Sequence, residues 1–167
     1  QLAKIAGCTV VGVVGASHKV AAARDLGADS VIDKSSSDLW AEAGRLAPEG
    51  YDVVLDANGV ATLRESYRHL ATGGRLVVYG FHTMMPKKGG TPNWLKLGWD
   101  FMRTPRFNPF DLLGQNKSVM AFNLSYLFSK KELLDEGMNL VLGLAKDGKL
   151  ELPDVSRYPV EKVADAH

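Results

Sequence analysis

TVVGVVGASHKVAAARDLGA, from Thr9 to Ala28, is the stretch that decides the fold. The valine-rich run Val10–Val14 predicts a strand, and the alanine-rich part predicts a helix from about Ser17 to Leu26 with Gly27 as its stop. In open α/β sheets, ligands bind outside the carboxyl ends of the strands. We therefore expect the turn between Val14 and Lys19, which contains no acid, to face a ligand.

Three further strands are predicted along the next part of the chain: Asp29–Ile32, Tyr51–Asp56 and Arg75–Phe81. Two helices are predicted between them. Ser35–Ser37 should cap the first, whose apolar side carries Leu39, Trp40, Ala43 and Leu46. Ala57–Gly59 should lead into the second, which carries Leu63, Tyr67 and Leu70 and ends before a turn at Thr72–Gly74. Strands that alternate with helices across short loops predict an α/β fold, a Rossmann-type doubly wound parallel sheet.

The pattern changes over residues 82–117, which hold four of the seven prolines and two of the three tryptophans. We interpret this aromatic and proline-rich segment as an insertion with a helix over Asn93–Met102 and a second helix that starts at Asn108-Pro109. Three interpretations of its apolar side chains stay open: a cover for an active-site cleft, a face for a partner or membrane surface, or a satellite core under a long loop. These side chains are Trp94, Leu95, Trp99, Phe101 and Met102, flanked by Lys87, Lys88, Arg103 and Arg106.

The last part of the chain predicts one more strand and two helices. The strand is Ser118–Leu124, and the first helix should open with the capping box Ser129–Glu132 and stop at Gly148. The second helix should begin around Pro159.

Composition excludes some classes of partner. The 20 Lys and Arg residues nearly balance the 19 Asp and Glu residues, so charge indicates neither nucleic acid nor an anionic membrane. No apolar run approaches the 18 residues expected of a membrane-spanning helix. Cys8 cannot form an internal disulfide, and we expect a small buried side chain in a reducing, cytoplasmic compartment.

The opening segment QLAKIAG, residues 1–7, has the pattern of a helix end with Gly7 at the C′ position. In the Rossmann strand order 3-2-1-4-5-6, the glycine fingerprint lies between the first strand and the first helix. We expect the chain to begin inside that helix, so that the first strand and the fingerprint are missing. The predicted sheet then has a gap at its centre with an unpaired strand edge on each side, and the natural protein is longer at both ends.

The Thr9–Ala28 stretch, followed in order by VID, YDVVLDANG and GGRLVVYGF, resembles the cofactor domain of the medium-chain dehydrogenase/reductase superfamily. It looks most like the zinc-free quinone oxidoreductase branch, and within it the synaptic vesicle membrane protein type. NKSVMAFNLSYL and the closing YPVEKVADAH extend the resemblance over essentially the whole chain. The resemblance implies that residues 1–167 are a partial NADP-binding domain whose N-terminal substrate domain lies outside the chain.

The same resemblance implies an activity and partners. It implies hydride transfer from NADPH to a quinone or other activated carbonyl or enone, without zinc, while the protein orients the reactants and excludes water. It also implies a homodimer that pairs through strand 118–124. A non-catalytic interaction protein, or a protein peripheral to a membrane surface, is the alternative. A methyltransferase is disfavoured because such a site usually has an acid in the turn after Val14.

The turn Gly15–Lys19 and the following strand end carry the predicted adenosine contacts. A serine and a lysine at this position suit a 2′-phosphate, whereas an acid would bind the ribose hydroxyls and repel the phosphate. By resemblance, Gly15, Ser17 and Lys19 therefore contact NADPH. Lys34 stands where the family often has a tyrosine, and either contacts the phosphate or only adds positive potential. The alternatives are a solvated Lys19 and a Ser17 that merely caps the helix.

The ends of the later strands carry the other predicted cofactor contacts. Asp56–Gly59 matches a family DxxG segment near the riboses, from which Asn58 and Gly59 are taken as site residues. The purely structural interpretation of this segment is an Asx turn with a positive φ at Gly59. By resemblance, Gly80 and Phe81 pass beside the nicotinamide ribose, and Phe122-Asn123 reaches the carboxamide. An ordinary buried strand is the alternative for Phe122-Asn123.

None of His18, His69 and His82 is predicted to be catalytic. His18 and His82 are lone histidines with no carboxylate or metal partner visible in the sequence, and His69 suits a cation at a helix C-terminus. We therefore predict no catalytic residue and no metal ligand in this chain.

Overall fold

The structure is a computed structural model that describes residues 1–84, 93–151 and 156–166. The chain divides into two compact units, which are described separately. The first unit consists of Gln1–Ser35 and Lys130–His167, and the second unit consists of Ser36–Ser129. Lys87 and Lys88, which the sequence analysis placed beside the insertion, lie outside the described residues.

The first unit contains a two-stranded parallel sheet. Its elements are α1 (Leu2–Ile5), β1 (Val11–Val14), a 3-10 turn (Ser17–Lys19), α2 (Val20–Asp25), β2 (Ser30–Asp33), α7 (Lys131–Lys146) and a 3-10 segment (Val160–Ala166). β1 pairs with β2 from Val11 opposite Ser30 to Val14 opposite Asp33. The carboxyl ends of the two strands therefore lie level with each other.

Helix α1 is joined to the sheet by a glycine turn and an ion pair. Gly7 has a φ of +79°, and its N–H donates to Lys4 O at 2.9 Å, so the predicted helix end is confirmed. The Asp29 carboxylate accepts from Val10 N at 2.7 Å and from Lys4 Nζ at 2.9 Å. These hydrogen bonds, the one from the Val10 backbone first, hold the pKa of Asp29 below its usual range.

The second unit contains a three-stranded parallel sheet in the order β3-β4-β5. Its elements are α3 (Leu39–Leu46), β3 (Tyr51–Asp56), α4 (Leu63–Arg68), β4 (Leu70–Val78), a 3-10 turn (His82–Met84), α5 (Trp94–Arg103), α6 (Pro109–Gln115), β5 (Ser118–Ala121) and a 3-10 turn (Leu124–Tyr126). Asp56 lies opposite Val78, and Val78 lies opposite Ala121. All three strands therefore end at one edge of the sheet.

A small apolar core lies between this sheet and α4. Leu63, Leu70, Leu76 and Val78 are buried together, and Phe107 from the segment before α6 packs against them. On α3, Ala43 is buried, as its predicted apolar side requires. The parallel pairing and the alternation of strands with helices confirm the predicted α/β, Rossmann-type fold.

Two predicted helix caps are wrong. Asp38, and not Ser35–Ser37, caps α3, because its Oδ1 accepts from Ala41 N at 2.8 Å. Lys130 occupies the N-cap position of α7 without a side-chain cap bond, so Ser129 lies one residue too early for a capping box. The predicted cap of α6 is confirmed, with Asn108 Oδ1 accepting from Phe110 N at 3.0 Å ahead of Pro109.

The ends of several strands also differ from the prediction. Leu70 begins β4 rather than continuing α4, because it pairs with Tyr51. The predicted turn at Thr72–Gly74 lies inside β4 as an irregularity, where the pairing moves from Tyr51 opposite Leu70 to Val53 opposite Arg75. β4 then ends at Val78 and β5 at Ala121, both earlier than predicted.

One of the three interpretations of the α5 side chains and the predicted burial of Cys8 are wrong as well. Trp94, Leu95 and Phe101 on α5 are 78%, 88% and 74% exposed, so α5 is not a satellite core. Cys8 is exposed, because it directly follows the glycine turn that ends α1. Within the described ranges, no helix has the length and apolar character needed to cross a membrane.

Candidate functional site

The ends of β1 and β2 bring Gly15 and Lys34 together. Lys34 N donates to Val14 O at 3.1 Å. The Lys34 Cε atom lies 3.5 Å from the position that a Cβ on Gly15 would occupy. The Lys34 side chain therefore runs along the backbone of the turn that follows β1.

Ser17 binds an acid that the sequence analysis did not select. The Ser17 hydroxyl donates to Asp33 Oδ2 at 2.5 Å. Asp33 Oδ1 accepts from Ser35 N at 2.9 Å and from Ser35 Oγ at 2.5 Å. Ser17 is not an N-cap, since Ala16 occupies that position and Ser17 is the first residue of the 3-10 turn. The missed signal was an acid at the last position of the strand SVID, level with the end of β1.

Lys19 is the last residue of that 3-10 turn and is exposed. Among the described residues its ammonium group has no ion-pair partner. The turn thus provides one serine and one lysine, as predicted, and β2 adds Lys34 and Asp33 beside it. This edge of the first unit carries two cations, one acid and two hydroxyl groups.

In the second unit, Asp56 organises the loop that follows β3. The buried carboxylate accepts from Asn58 N at 2.8 Å and from Gly59 N at 3.0 Å. It also accepts from Thr62 Oγ1 and from Ser66 Oγ, both at 2.7 Å. The Asx-turn interpretation is therefore correct, and Thr62 and Ser66 are partners that the sequence pattern did not reveal. Four hydrogen bonds fix the loop in which Asn58 and Gly59 lie.

The predicted residues Gly59, Gly80 and Phe81 meet at the ends of β3 and β4. Gly59 has a φ of +82°, and a Cβ there would lie 2.5 Å from Phe81 Cδ1. A Cβ on Gly80 would lie 2.9 Å from the carbonyl oxygen of Ala57. The absence of a side chain at Gly80 thus accommodates the neighbouring backbone, a role that the sequence analysis did not anticipate.

Hydrogen bonds join the loops after β3 and β4. The Asn58 carbonyl oxygen accepts from Thr83 N at 3.1 Å and from Thr83 Oγ1 at 2.7 Å. His82 N donates to Ala57 O at 3.0 Å. The backbone of Asn58 is therefore held rigidly at the strand edge.

Phe122 and Asn123 follow β5 at the same edge. Phe122 N donates to Val78 O at 3.1 Å, and its ring stacks on Tyr79 with centroids 6.2 Å apart. Asn123 Oδ1 accepts from Ser125 N at 3.0 Å and caps the short 3-10 turn that replaces the predicted end of the strand. Phe122 is half exposed, so it is not an ordinary buried strand residue.

None of the three described histidines is hydrogen-bonded or ion-paired to a carboxylate. His18 and His82 are exposed in 3-10 turns, and His69 is at the C-cap of α4, where its Nδ1 and Nε2 face the carbonyl oxygens of Glu65 and Trp40 at 2.9 and 3.2 Å. In the part of the chain that the structure describes, no three His, Cys, Asp or Glu side chains lie together in a way that could hold a metal ion.

In each unit, parallel strands alternate with helices, and glycines and hydrogen-bonded loops follow the carboxyl ends of the strands, which defines the Rossmann class of fold. The sequence profile of the zinc-binding dehydrogenases matches residues 1–138. The chain therefore belongs to that family, within the medium-chain dehydrogenase/reductase superfamily, as the sequence motifs predicted.

Relatives and solved structures agree with this family. The synaptic vesicle membrane protein VAT-1 homolog of Danio rerio is 32% identical over 95% of this chain and 32% of its own length. A Leishmania amazonensis protein titled "Probable quinone oxidoreductase" is 35% identical over 48% of this chain and 24% of its own length. A Pseudomonas syringae quinone oxidoreductase structure has a TM-score of 0.67, with 24% identity over 99% of this chain and 46% of that one. The chain thus spans about a third of the length of the first of these relatives.

Proposed function

We propose that this chain forms most of the cofactor-binding domain of an NADPH-dependent oxidoreductase that reduces a quinone or another activated carbonyl or enone without zinc. When bound, the nicotinamide supplies the hydride. The observation that carries the proposal is that β1 and β2 end side by side, with Lys34 beside Gly15 and with Ser17 hydrogen-bonded to Asp33. Family membership supports a nicotinamide cofactor, and the two lysines support NADPH.

The residues at the first edge fit the adenosine end of such a cofactor. Lys19 is available to pair with a 2′-phosphate, and Lys34 adds a second ammonium group beside Gly15. A charge-assisted hydrogen bond of this kind contributes about 1.5 to 3 kcal/mol. The negative charge of Asp33 repels a phosphate group, and its carboxylate is also a suitable acceptor for ribose hydroxyl groups.

In the second unit, the residues at the strand ends are proposed to contact a nicotinamide cofactor. We assign Asn58, Gly59 and Phe81 to the ribose side, with Gly80 shaping the backbone between them. Phe122 and Asn123 are assigned to the carboxamide side. Asp56 is a positioning residue, since its four hydrogen bonds hold the loop. Because hydride passes directly between cofactor and substrate, we assign no catalytic residue.

Other parts of the proposal concern the whole protein. We propose that an N-terminal substrate domain and the first Rossmann strand precede this cofactor domain. A homodimer through β5 is also proposed, because β4 is its single pairing partner among the described strands, which leaves β5 at the edge of its sheet. A zinc-independent reaction is tested by assaying the metal-depleted full-length enzyme, whose rate should be unchanged.

Lys19→Glu tests the cofactor assignment in the full-length protein. The substitution places a carboxylate where the 2′-phosphate is expected, so the affinity for NADPH should fall roughly a hundredfold or more while that for NADH changes little. Isothermal titration with both cofactors measures this difference. Lys146→Glu, which makes the same charge change at the end of α7, is the matched control. Equal losses for the two cofactors would refute the assignment.

A second candidate is a non-catalytic interaction protein at a membrane surface. The exposed face of α5, with Trp94, Leu95 and Phe101, favours it. This candidate implies a cytoplasmic protein peripheral to a membrane. Absence of NADPH and NADH binding by both this chain and the longer protein would favour it over the reductase.

Vesicle flotation tests the membrane contact directly. Trp94→Ser together with Leu95→Ser should reduce flotation of the full-length protein with anionic vesicles, whereas Leu133→Ser on α7 should not. Flotation that does not depend on anionic lipid counts against membrane contact.

A further inference from the structure

A cavity lies in the second unit at the opposite edge of the three-stranded sheet from the candidate cofactor residues. Its volume is about 460 Å³. Arg68 lies two residues before the amino end of β4, and Lys117 directly precedes that of β5; both side chains line the cavity. Phe81 and Phe122, in contrast, follow the carboxyl ends of the same strands. The cavity is therefore separate from the proposed cofactor contacts of this unit.

The lining of the cavity is strongly basic. Four cations line it: Arg64, Arg68, Arg106 and Lys117. The single acid in the lining is Asp111. Arg68 pairs with Glu65 at 2.7 Å, whereas Arg64 and Arg106 have no ion-pair partner in the described ranges. Positive charge is therefore in excess in a concave surface, which favours an anionic ligand.

Two partly buried donors in the same lining lack an acidic partner among the described residues. The Tyr67 hydroxyl is buried with no hydrogen-bond partner there, although buried phenol groups usually have one. Lys117 Nζ donates to the carbonyl oxygens of Tyr67 and Arg68, both at 3.3 Å, and lies 5.1 Å from the centre of the Tyr67 ring. Burial lowers the pKa of Lys117. An anion in the cavity would provide the phenol with an acceptor and Lys117 with a countercharge.

We propose that this cavity binds a phosphate group. Guanidinium groups bind phosphate oxygens with paired hydrogen bonds, and a phosphate has enough acceptors for several donors at once. The Phe107 ring, 5.3 Å from that of Tyr67, gives the same cavity an apolar wall. A phosphomonoester with a small organic part fits this combination. The site goes beyond the proposed reductase function and does not depend on it.

Calorimetric titration of the chain with inorganic phosphate and with glycerol 3-phosphate at low salt tests the proposal. Arg64→Gln and Arg106→Gln should each weaken binding at least about tenfold, which corresponds to about 1.4 kcal/mol. Arg103→Gln, which removes an exposed cation outside the cavity lining, should leave binding unchanged. Tyr67→Phe keeps the ring and should weaken binding severalfold without lowering the Tm. Absence of binding by the wild-type chain, or equal weakening by Arg103→Gln, overturns the proposal.

Vesicles distinguish a soluble phosphomonoester from a lipid headgroup. If the phosphate group comes from a lipid, phosphatidic acid vesicles should bind the wild-type chain, lose binding in Arg106→Gln and release the chain on addition of inorganic phosphate. If it comes from a soluble compound, only the calorimetric titrations should depend on Arg106. Vesicle binding that is insensitive to Arg106, without any phosphate binding in solution, contradicts the site.

Discussion

At the scale of single residues, Asp33 determines whether the Ser17 hydroxyl can donate a hydrogen bond to a ligand. A hydroxyl group has one hydrogen, and that of Ser17 is directed to Asp33 Oδ2 at 2.5 Å. A 2′-phosphate, which only accepts hydrogen bonds when fully ionised, would have to compete with this carboxylate. The same carboxylate repels the phosphate, so Asp33 is expected to limit the preference for NADPH.

Asp33→Asn should raise the preference for NADPH in the full-length protein. Removing one negative charge near the phosphate should improve NADPH affinity by roughly threefold to tenfold, whereas NADH should bind no more tightly, because the amide is a weaker acceptor for its ribose hydroxyl groups. Parallel titrations with both cofactors measure the ratio. Asp25→Asn, at the far end of α2, is the control for a general charge effect. A ratio that stays constant in Asp33→Asn contradicts this role.

Gly59→Ala should destabilise the fold. The residue has a φ of +82°, and the new Cβ would meet Phe81 Cδ1 at 2.5 Å, so we expect a loss of about 2 to 4 kcal/mol. Urea unfolding measures the change. Gly114→Ala on α6 meets no atom within 4 Å and should instead be neutral or stabilising by up to about 1 kcal/mol. Similar losses in both variants would show that the Phe81 contact and the positive φ do not matter.

Sequence patterns predicted residues well where the chemistry is local. The Asx turn at Asp56 and the glycine turn at Gly7 depend on neighbours a few residues apart, and both are confirmed. The Ser17–Asp33 hydrogen bond and the approach of Gly80 to Ala57 join separate segments. Such contacts follow from how strands are paired, which local patterns do not contain.

At the scale of elements, α3 depends on its cap. Asp38→Ala removes the hydrogen bond from Ala41 N and should cost about 1 kcal/mol of stability. Thermal and urea unfolding measure the loss, with the exposed Glu49→Ala as control. A loss no larger than that of the control would mean that the cap contributes nothing to the folded state.

Element type was easier to predict than element limits. The strand Tyr51–Asp56 is found at the predicted positions because its apolar run is bounded by Gly50 and by the Asx turn. The limits of β4 are different, because its irregular pairing with β3 turns Thr72–Gly74 into part of the strand. The exposed face of α5 shows what periodicity does not predict: it identifies an apolar face of a helix but not which part of the molecule covers that face.

At the scale of the whole molecule, β1 and β3 each pair on one side only within the described chain. Val53 and Leu55 of β3 are 49% and 65% exposed, which is unusual for a strand of a buried parallel sheet. If a preceding strand pairs here, as we propose, the amides of β3 should exchange at least about tenfold more slowly in the longer protein than in this chain. Amides of β4, already paired on both sides, serve as the control. Equal exchange of β3 in both proteins contradicts the proposed strand.

The fold class and family followed from the order of strands, helices and motifs over the whole chain. The division into two units did not, because it depends on which segments come together at a distance. Gln1 and Glu151 exchange two hydrogen bonds, of 2.9 and 2.7 Å, although they are 150 residues apart. No local pattern in the sequence predicts this pair.

The discontinuity of the first unit has a consequence for synthesis on the ribosome. The second unit, Ser36–Ser129, is continuous and leaves the exit tunnel complete. Gln1–Ser35 emerges earlier, but its unit is complete only when Lys130–His167 has been translated. At about 5 to 20 residues per second, this delay lasts several seconds or more. During that time the nascent β1–β2 pair is exposed to chaperones, so the second unit is expected to fold first.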